Sequence, residues 1–309
     1  MKSLLVKGCI FILVISFAQT VSGQQKAIFS QYMFLPSAIN PAFAGTDNAF
    51  RVTLSARQQW VGYTGAPNTQ TFSALTSLKN ERTFVGGQLV RDQIGEVLTE
   101  NNGQAILAQS INLTEKNKFT VGINAGISQL SDSYAELYQQ SPLSASDPLF
   151  FNQNRTLVNI GWGMLIHSQR WYAGLSSPQF KYLDEKNSAG SKQPCLRSHY
   201  FAMAGYVFGQ TDAFKIKPNF LFKYVDGAPV QADFNCSVLL QEKFWIGASY
   251  RSFDSLNLVM QLTIHQNWQL GYAYDFPVTA LSHTTSGTHE LMLQMRFPGK
   301  NKQILKCYF

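Results

Sequence analysis

Charge is scarce in this sequence. Asp, Glu, Lys and Arg make up 14% of the chain, well under the roughly 25% usual for soluble domains. That deficit argues against a wholly solvated surface. Long apolar runs are missing as well. Beyond residues 1–23 no stretch approaches the ~20 apolar residues that a membrane helix needs. Helical spans are therefore excluded, but a β-barrel is not, because a barrel hides its hydrophobicity in alternation. Cysteine is sparse and ill-spaced: with Cys9 in the leader, Cys195, Cys236 and Cys307 define neither a disulfide framework nor a zinc site. Catalytic signatures are lacking too. No serine lies in a G-x-S-x-G turn, and no His-x-x-His or carboxylate pair has metal spacing. No basic helix, zinc motif or RNA-binding motif accompanies the net charge of +7, which falls to +5 without Lys2 and Lys7, so nucleic acid is not an expected partner. No cofactor and no metal is expected, and the chain reads as non-enzymatic.

What is present begins with a secretory leader over residues 1–23. Lys2 and Lys7 start it, an apolar core follows, and Val21-Ser22-Gly23 ends it at a small-residue cleavage site. The body of the chain then alternates. Leu256, Leu258, Met260, Leu262 and Ile264 share one parity, with Asn257, Gln261 and Thr263 on the other. In 214–225, Phe214, Ile216, Phe220, Phe222 and Tyr224 oppose Lys215, Lys217, Asn219 and Lys223. Side chains alternate across a strand, so each segment has one apolar and one polar face. Segments of about ten residues with aromatic ends are the pattern of a transmembrane antiparallel β-barrel, here of about fourteen strands. They read as 50–60, 70–78, 83–91, 103–112, 118–128, 156–167, 171–177, 199–208, 214–225, 230–240 and 244–253, then three more ending at Phe297. Trp60, Trp162, Trp171, Trp245 and Trp268 read as girdle residues at the lipid interfaces.

The connections are uneven. Short turns fall at 80–82, 114–117, 168–170, 209–213, 241–243 and 266–267, and long ones at 92–102, 129–155, 178–198 and 277–286. Outer-membrane barrels have short periplasmic turns and longer outside loops. Both termini are thus expected in the periplasm and the long loops outside, and a soluble β-sandwich gives no reason for such asymmetry.

Four divisions follow: a signal peptide at 1–23, a segment at 24–48, the barrel at 49–297 and a periplasmic tail at 298–309. The 24–48 segment carries Phe29, Tyr32, Phe34 and Phe43, so it must pack somewhere: into the lumen as a plug, under the rim, or onto a partner. Arg57 shares parity with Arg51, Thr53 and Ser55 and faces the lumen, as part of a polar network or as a contact for that segment or a cargo. His289 and Glu290 are adjacent in a strand and point to opposite faces, Glu290 inward.

QYMFLPSAINPAFAGT, RQQWVGYTGAPNTQTFSA, GYAYDF and the closing GTHELMLQMRF together resemble the PorP/SprF-like outer-membrane proteins of the type IX secretion system, over about residues 31–297. The resemblance implies a barrel of the Bacteroidetes outer membrane that serves protein secretion and gliding motility. It implies as partners a secreted cell-surface protein with a C-terminal sorting domain, periplasmic components linked to peptidoglycan, and outer-membrane lipids. The matching positions are Asn40, Pro41, Ala42, Ala44 and Gly45, with Arg57, Gln59, Trp60 and Gly62, and these are the candidate plug or partner-binding residues. An outer-membrane solute channel is the competing expectation. The residues after Phe297 depart from the family pattern.

Overall fold

In a computed structural model the described residues are 29–79, 81–133, 153–184, 197–209, 211, 213–265 and 267–297. The leader, residues 24–28, Cys195 and the tail with Cys307 lie outside them.

The described residues form fourteen strands: β1 Phe50–Gln58, β2 Asn68–Ser77, β3 Thr83–Ile94, β4 Leu98–Asn112, β5 Lys118–Asp132, β6 Gln153–His167, β7 Trp171–Asp184, β8 His199–Tyr206, β9 Phe214–Val225, β10 Gln231–Leu240, β11 Phe244–Arg251, β12 Ser255–His265, β13 Trp268–Pro277 and β14 Thr288–Phe297. Each pairs antiparallel with its neighbours in sequence, and β1 pairs with β14 to close the barrel. Closure leaves no edge with unpaired backbone groups. The alternation sorts as expected. Leu54, Phe72, Leu89, Ile123, Phe222 and Leu291 face outward, while Thr53, Ser73, Asn124, Lys217, Asn235 and Glu290 are buried inside.

Two parts of the expected layout change. The stretch 92–102, expected as a long loop, is a tight hairpin. Ile94 pairs with Leu98, and Gly95 turns the chain at a φ of +67°, which glycine adopts without steric cost. Its polar residues belong to strands: Asp92 points inward and accepts a bond from Thr69 Oγ1 at 2.7 Å. Likewise β5, β6 and β7 run further toward the same rim than the alternation suggests. Near Pro178 the β7–β8 ladder shifts register between Ser176 and Gln179, the kind of irregularity that proline requires inside a sheet. Trp245 is the second change. It is buried facing the lumen, so it is not a girdle residue.

The uneven rims persist. Connections at 78–82, 113–117, 168–170, 207–213, 241–243 and 266–267 are all short. The opposite rim carries 59–67, 133–152, 185–198 and 278–287, along with tight turns at 95–97, 226–230 and 252–254. These ends are called the short-turn and long-loop rims below.

If the outer wall meets lipid, a charge in its centre is costly. Ile123, 53% exposed, is the probe. Ile123→Arg should lower stability by about 2–4 kcal/mol in urea unfolding from lipid vesicles. A change within about 0.5 kcal/mol, ordinary for a solvated position, would mean that this face meets water.

Candidate functional site

Residues 29–49 pass through the interior of the barrel. They start near the long-loop rim and join β1 at the short-turn rim. Their backbone lacks sheet partners, so side chains of the wall hold them.

At the upper end two ion-pair networks grip the segment. Arg57 Nη1 donates to Glu290 Oε2 at 2.9 Å and Nη2 to Asp275 Oδ2 at 2.8 Å. Ser30 sits in the fork: its N–H donates to Glu290 Oε2 at 2.8 Å, its hydroxyl donates to Asp275 at 2.6 Å, and it accepts from Arg57 Nη1 at 2.9 Å. Beside it Arg251 holds Asp233 and Asp254, and its Nη2 donates to the Phe29 carbonyl at 3.5 Å. Charges buried this deeply persist only when paired and hydrogen-bonded.

Below these networks the wall turns apolar. Tyr32, Met33, Phe34 and Leu35 pack against Leu165, Tyr172, Met203, Leu221, Trp245 and Met292, among others. The Lys217 ammonium lies 5.5 Å from the Phe34 ring centre and 4.5 Å from that of Trp245, a cation–π arrangement. Tyr32 Oη donates to Asn219 Oδ1 at 3.1 Å.

The lower anchor is Asn40-Pro41-Ala42-Phe43-Ala44-Gly45. Asn40 caps the 3-10 turn Pro41–Thr46 by accepting from Ala42 N–H at 2.9 Å. Its amide nitrogen donates to the carbonyls of Met164 at 3.1 Å and Leu175 at 3.4 Å, on the facing strands β6 and β7. Close approach is possible because the wall here is glycine. A Cβ on Gly122 would lie 2.5 Å from Ala42 N, and one on Gly163 would strike the Asn40 side chain. Phe43 meets Tyr172 edge-on at 5.3 Å, and Ala44 joins Leu75, Phe84, Ile106 and Ala108. Asp47 pairs with Arg296 at 2.8 Å.

The structure therefore divides the candidate residues. Asn40, Pro41, Ala42, Ala44 and Gly45 form the lower anchor, and Arg57 belongs to the upper grip. Gln59, Trp60 and Gly62 lie apart from both, in the turn after β1. There Gln59 N–H donates to the Pro67 carbonyl and Val61 N–H to Gly287, Trp60 N–H donates to Thr288 Oγ1, and Gly62 has a φ of +92°. They join the β1–β2 and β13–β14 connections. Sequence reasoning passed over Asp233, Arg251 and Asp275 as members of this site. Parity marks them as inward, but only register puts them level with Arg57.

A cavity of about 80 Å³ remains beside Phe29, with Asp92 and Glu100 among its lining residues on one side and His199 and Lys223 on the other. His289 faces outward and bonds Tyr272 Oη at 2.8 Å. Among the described residues no group of three or more His, Cys, Asp or Glu side chains has metal-holding geometry.

With this geometry in view, comparison with known proteins is informative. The family described as type IX secretion system membrane protein PorP/SprF matches residues 21–295. No curated protein matches the chain. Among solved structures, the CymD monoaromatic hydrocarbon channel aligns with a TM-score of 0.51 and 11% identity, covering 89% of this chain and 94% of that one. The Acinetobacter baumannii outer membrane protein Omp33 gives 0.44 and 11%, covering 82% and 100%. The P. putida toluene transporter TodX gives 0.44 and 10%, covering 83% and 90%. The likeness to CymD shows the fold alone, that of an outer-membrane β-barrel.

Arg57→Met would leave two buried carboxylates without their shared cation. It should cost about 3–5 kcal/mol in urea unfolding from vesicles. Combining it with Asp275→Asn and Glu290→Gln should recover most of that loss. A single variant as stable as the parent would contradict the network.

Proposed function

Because the chain belongs to the PorP/SprF family of type IX secretion system membrane proteins, we propose that it is a non-enzymatic outer-membrane component that binds or anchors a specific secreted surface protein. The cargo is an adhesin-like chain bearing a C-terminal sorting domain, held at the long-loop end. Short turns mark the periplasmic rim of such barrels, so the long-loop rim faces outward and the other faces periplasmic partners linked to peptidoglycan. Exposed Lys79, Glu81, Arg82, Glu115 and Lys116 on the short-turn rim offer those partners a charged surface of mixed sign, and outer-membrane lipids surround the wall. The link to gliding motility follows from the same family reading.

One observation carries this choice over a solute channel. Residues 29–49 run inside the barrel and are fastened to its wall at both ends by buried side chains. In this reading residues 29–49 plug the lumen. A barrel built to pass solutes needs a continuous open path, and here Tyr32, Met33, Phe34 and Leu35 are packed against the wall in the middle of the lumen. A barrel built to hold a partner needs only a rigid frame and a receptive end.

The test is purification of the tagged chain from its own outer membrane, paired with bilayer recordings. A secreted protein with a C-terminal sorting domain should co-purify. Its surface display should vanish in cells lacking the barrel and return when the barrel is restored. Large, steady openings in planar bilayers without any secreted partner would favour the channel instead.

A further inference from the structure

The two halves of the inner segment are held by different physics. The lower half is keyed by shape: Asn40 and Pro41 sit in a recess that Gly122 and Gly163 leave open. The upper half, residues 29–35, is held by apolar packing of Tyr32, Met33, Phe34 and Leu35 and by hydrogen bonds to wall groups that also bond one another. Asp275 and Glu290 keep Arg57. Arg251 keeps Asp233 and Asp254. Asn219 keeps Asn235, and Gln294 keeps Thr53. Each of these buried wall groups retains a partner if residues 29–35 leave. Withdrawal therefore avoids the main penalty of opening a polar interior, which is an unpaired buried charge. The 3-10 turn Pro36–Ala38 separates the halves, and Ser176 Oγ holds the chain just beyond it through the Ile39 carbonyl at 2.8 Å.

The wall beneath the upper half is unusual for a polar lumen. Met203, Leu221, Leu239, Trp245, Val259 and Met292 form a buried apolar band. Lys217 stands 4.5 Å from the Trp245 ring centre and 5.5 Å from that of Phe34, so that it meets an aromatic ring of the segment as well as one of the wall.

We propose that this inner band is a binding site for an aromatic-bearing apolar peptide segment, occupied at rest by residues 29–35 as a detachable arm anchored at Asn40. The ligand class follows from what the arm presents: tyrosine and phenylalanine side chains within a run of apolar residues, entering along the barrel axis. That the natural ligand belongs to a secreted cargo rests on the function proposed above, whereas the site itself does not.

The experiment uses the full mature chain in detergent micelles and a dye-labelled peptide of this chain's residues 29–39, FSQYMFLPSAI. Fluorescence anisotropy reads binding. Loosening the arm with Ser30→Ala and Tyr32→Ala raises the fraction of accessible sites, so apparent affinity should tighten about tenfold or more. Phe34→Ala alone is the second variant, should the pair fail to fold. Folding is read from the shift in mobility between unboiled and boiled samples on SDS gels. The staple joins Met33→Cys to Ser237→Cys, replacing side chains whose Sδ and Oγ lie 3.8 Å apart, through a short reducible bis-methanethiosulfonate linker. It is made in a Cys195→Ser, Cys236→Ser, Cys307→Ser background. Closed, it should abolish binding, and reduction should restore it. A peptide with Phe29, Tyr32 and Phe34 all replaced by alanine should not bind. Equal binding to loosened and stapled chains, or none to either, overturns the proposal. Because no cargo is involved, peptide binding without cargo capture would sink only the cargo reading.

Discussion

Everything in this molecule depends on the ladder that joins the first strand to the last. Nine register pairs run from Phe50 with Phe297 to Gln58 with His289. In hydrocarbon an unpaired backbone group costs several kcal/mol, so an open sheet could not stand there. Closure also fixes which parity points inward, and with it the character of every side chain. The seam is reinforced at both ends by groups that also touch the inner segment. Arg57 and Glu290 are directly paired across it and enclose Ser30. At the other rim Arg296 of β14 holds Asp47, just before β1 begins. The inner segment therefore helps clamp the ends of the chain together, beyond filling space.

This explains the two short motifs without assigning them chemistry. Asn40 through Gly45 is a key cut for a glycine recess in β5 and β6. Arg57 is the charge that lets two carboxylates be buried beside the segment's other end. Gln59, Trp60 and Gly62 shape the rim, where Trp60 and Gly62 both take left-handed backbone. Residues that look like one signature in the sequence serve three mechanical tasks at separate heights in the barrel.

Much of the fold was legible because a barrel writes its two faces into alternate residues. Lys215, Lys217 and Lys223 set against Phe214, Phe220 and Phe222 leave one plausible arrangement. The hairpin at 92–102 was not legible, because Asp92, Glu100, Asn101 and Asn102 have loop composition. In a barrel with a polar interior, polar residues are as much at home in strands as in turns. Trp245 misleads for the opposite reason: an aromatic near a strand end reads as girdle, and only its parity with inward Ser249 and Arg251 reveals the lumen. The grouping of Asp233, Arg251, Asp275, Glu290 and Arg57 depends on register across five strands, which alternation alone does not encode.

A segment of the chain bound along the inner wall sets a condition on anything else that enters. The segment is tethered directly to β1, so its effective concentration at the wall is on the order of millimolar or above. A free ligand must exceed that intramolecular competitor before it occupies the same surface. Weak, generic apolar peptides would therefore be shut out, and only one matching both the aromatic seat beside Lys217 and the surrounding band would displace it. Selectivity would then come from the competition itself, because the resident segment sets the threshold that a partner has to beat. A closed frame suits this arrangement, since the wall pairs of Arg57 with Asp275 and Glu290 and of Arg251 with Asp233 do not depend on residues 29–35.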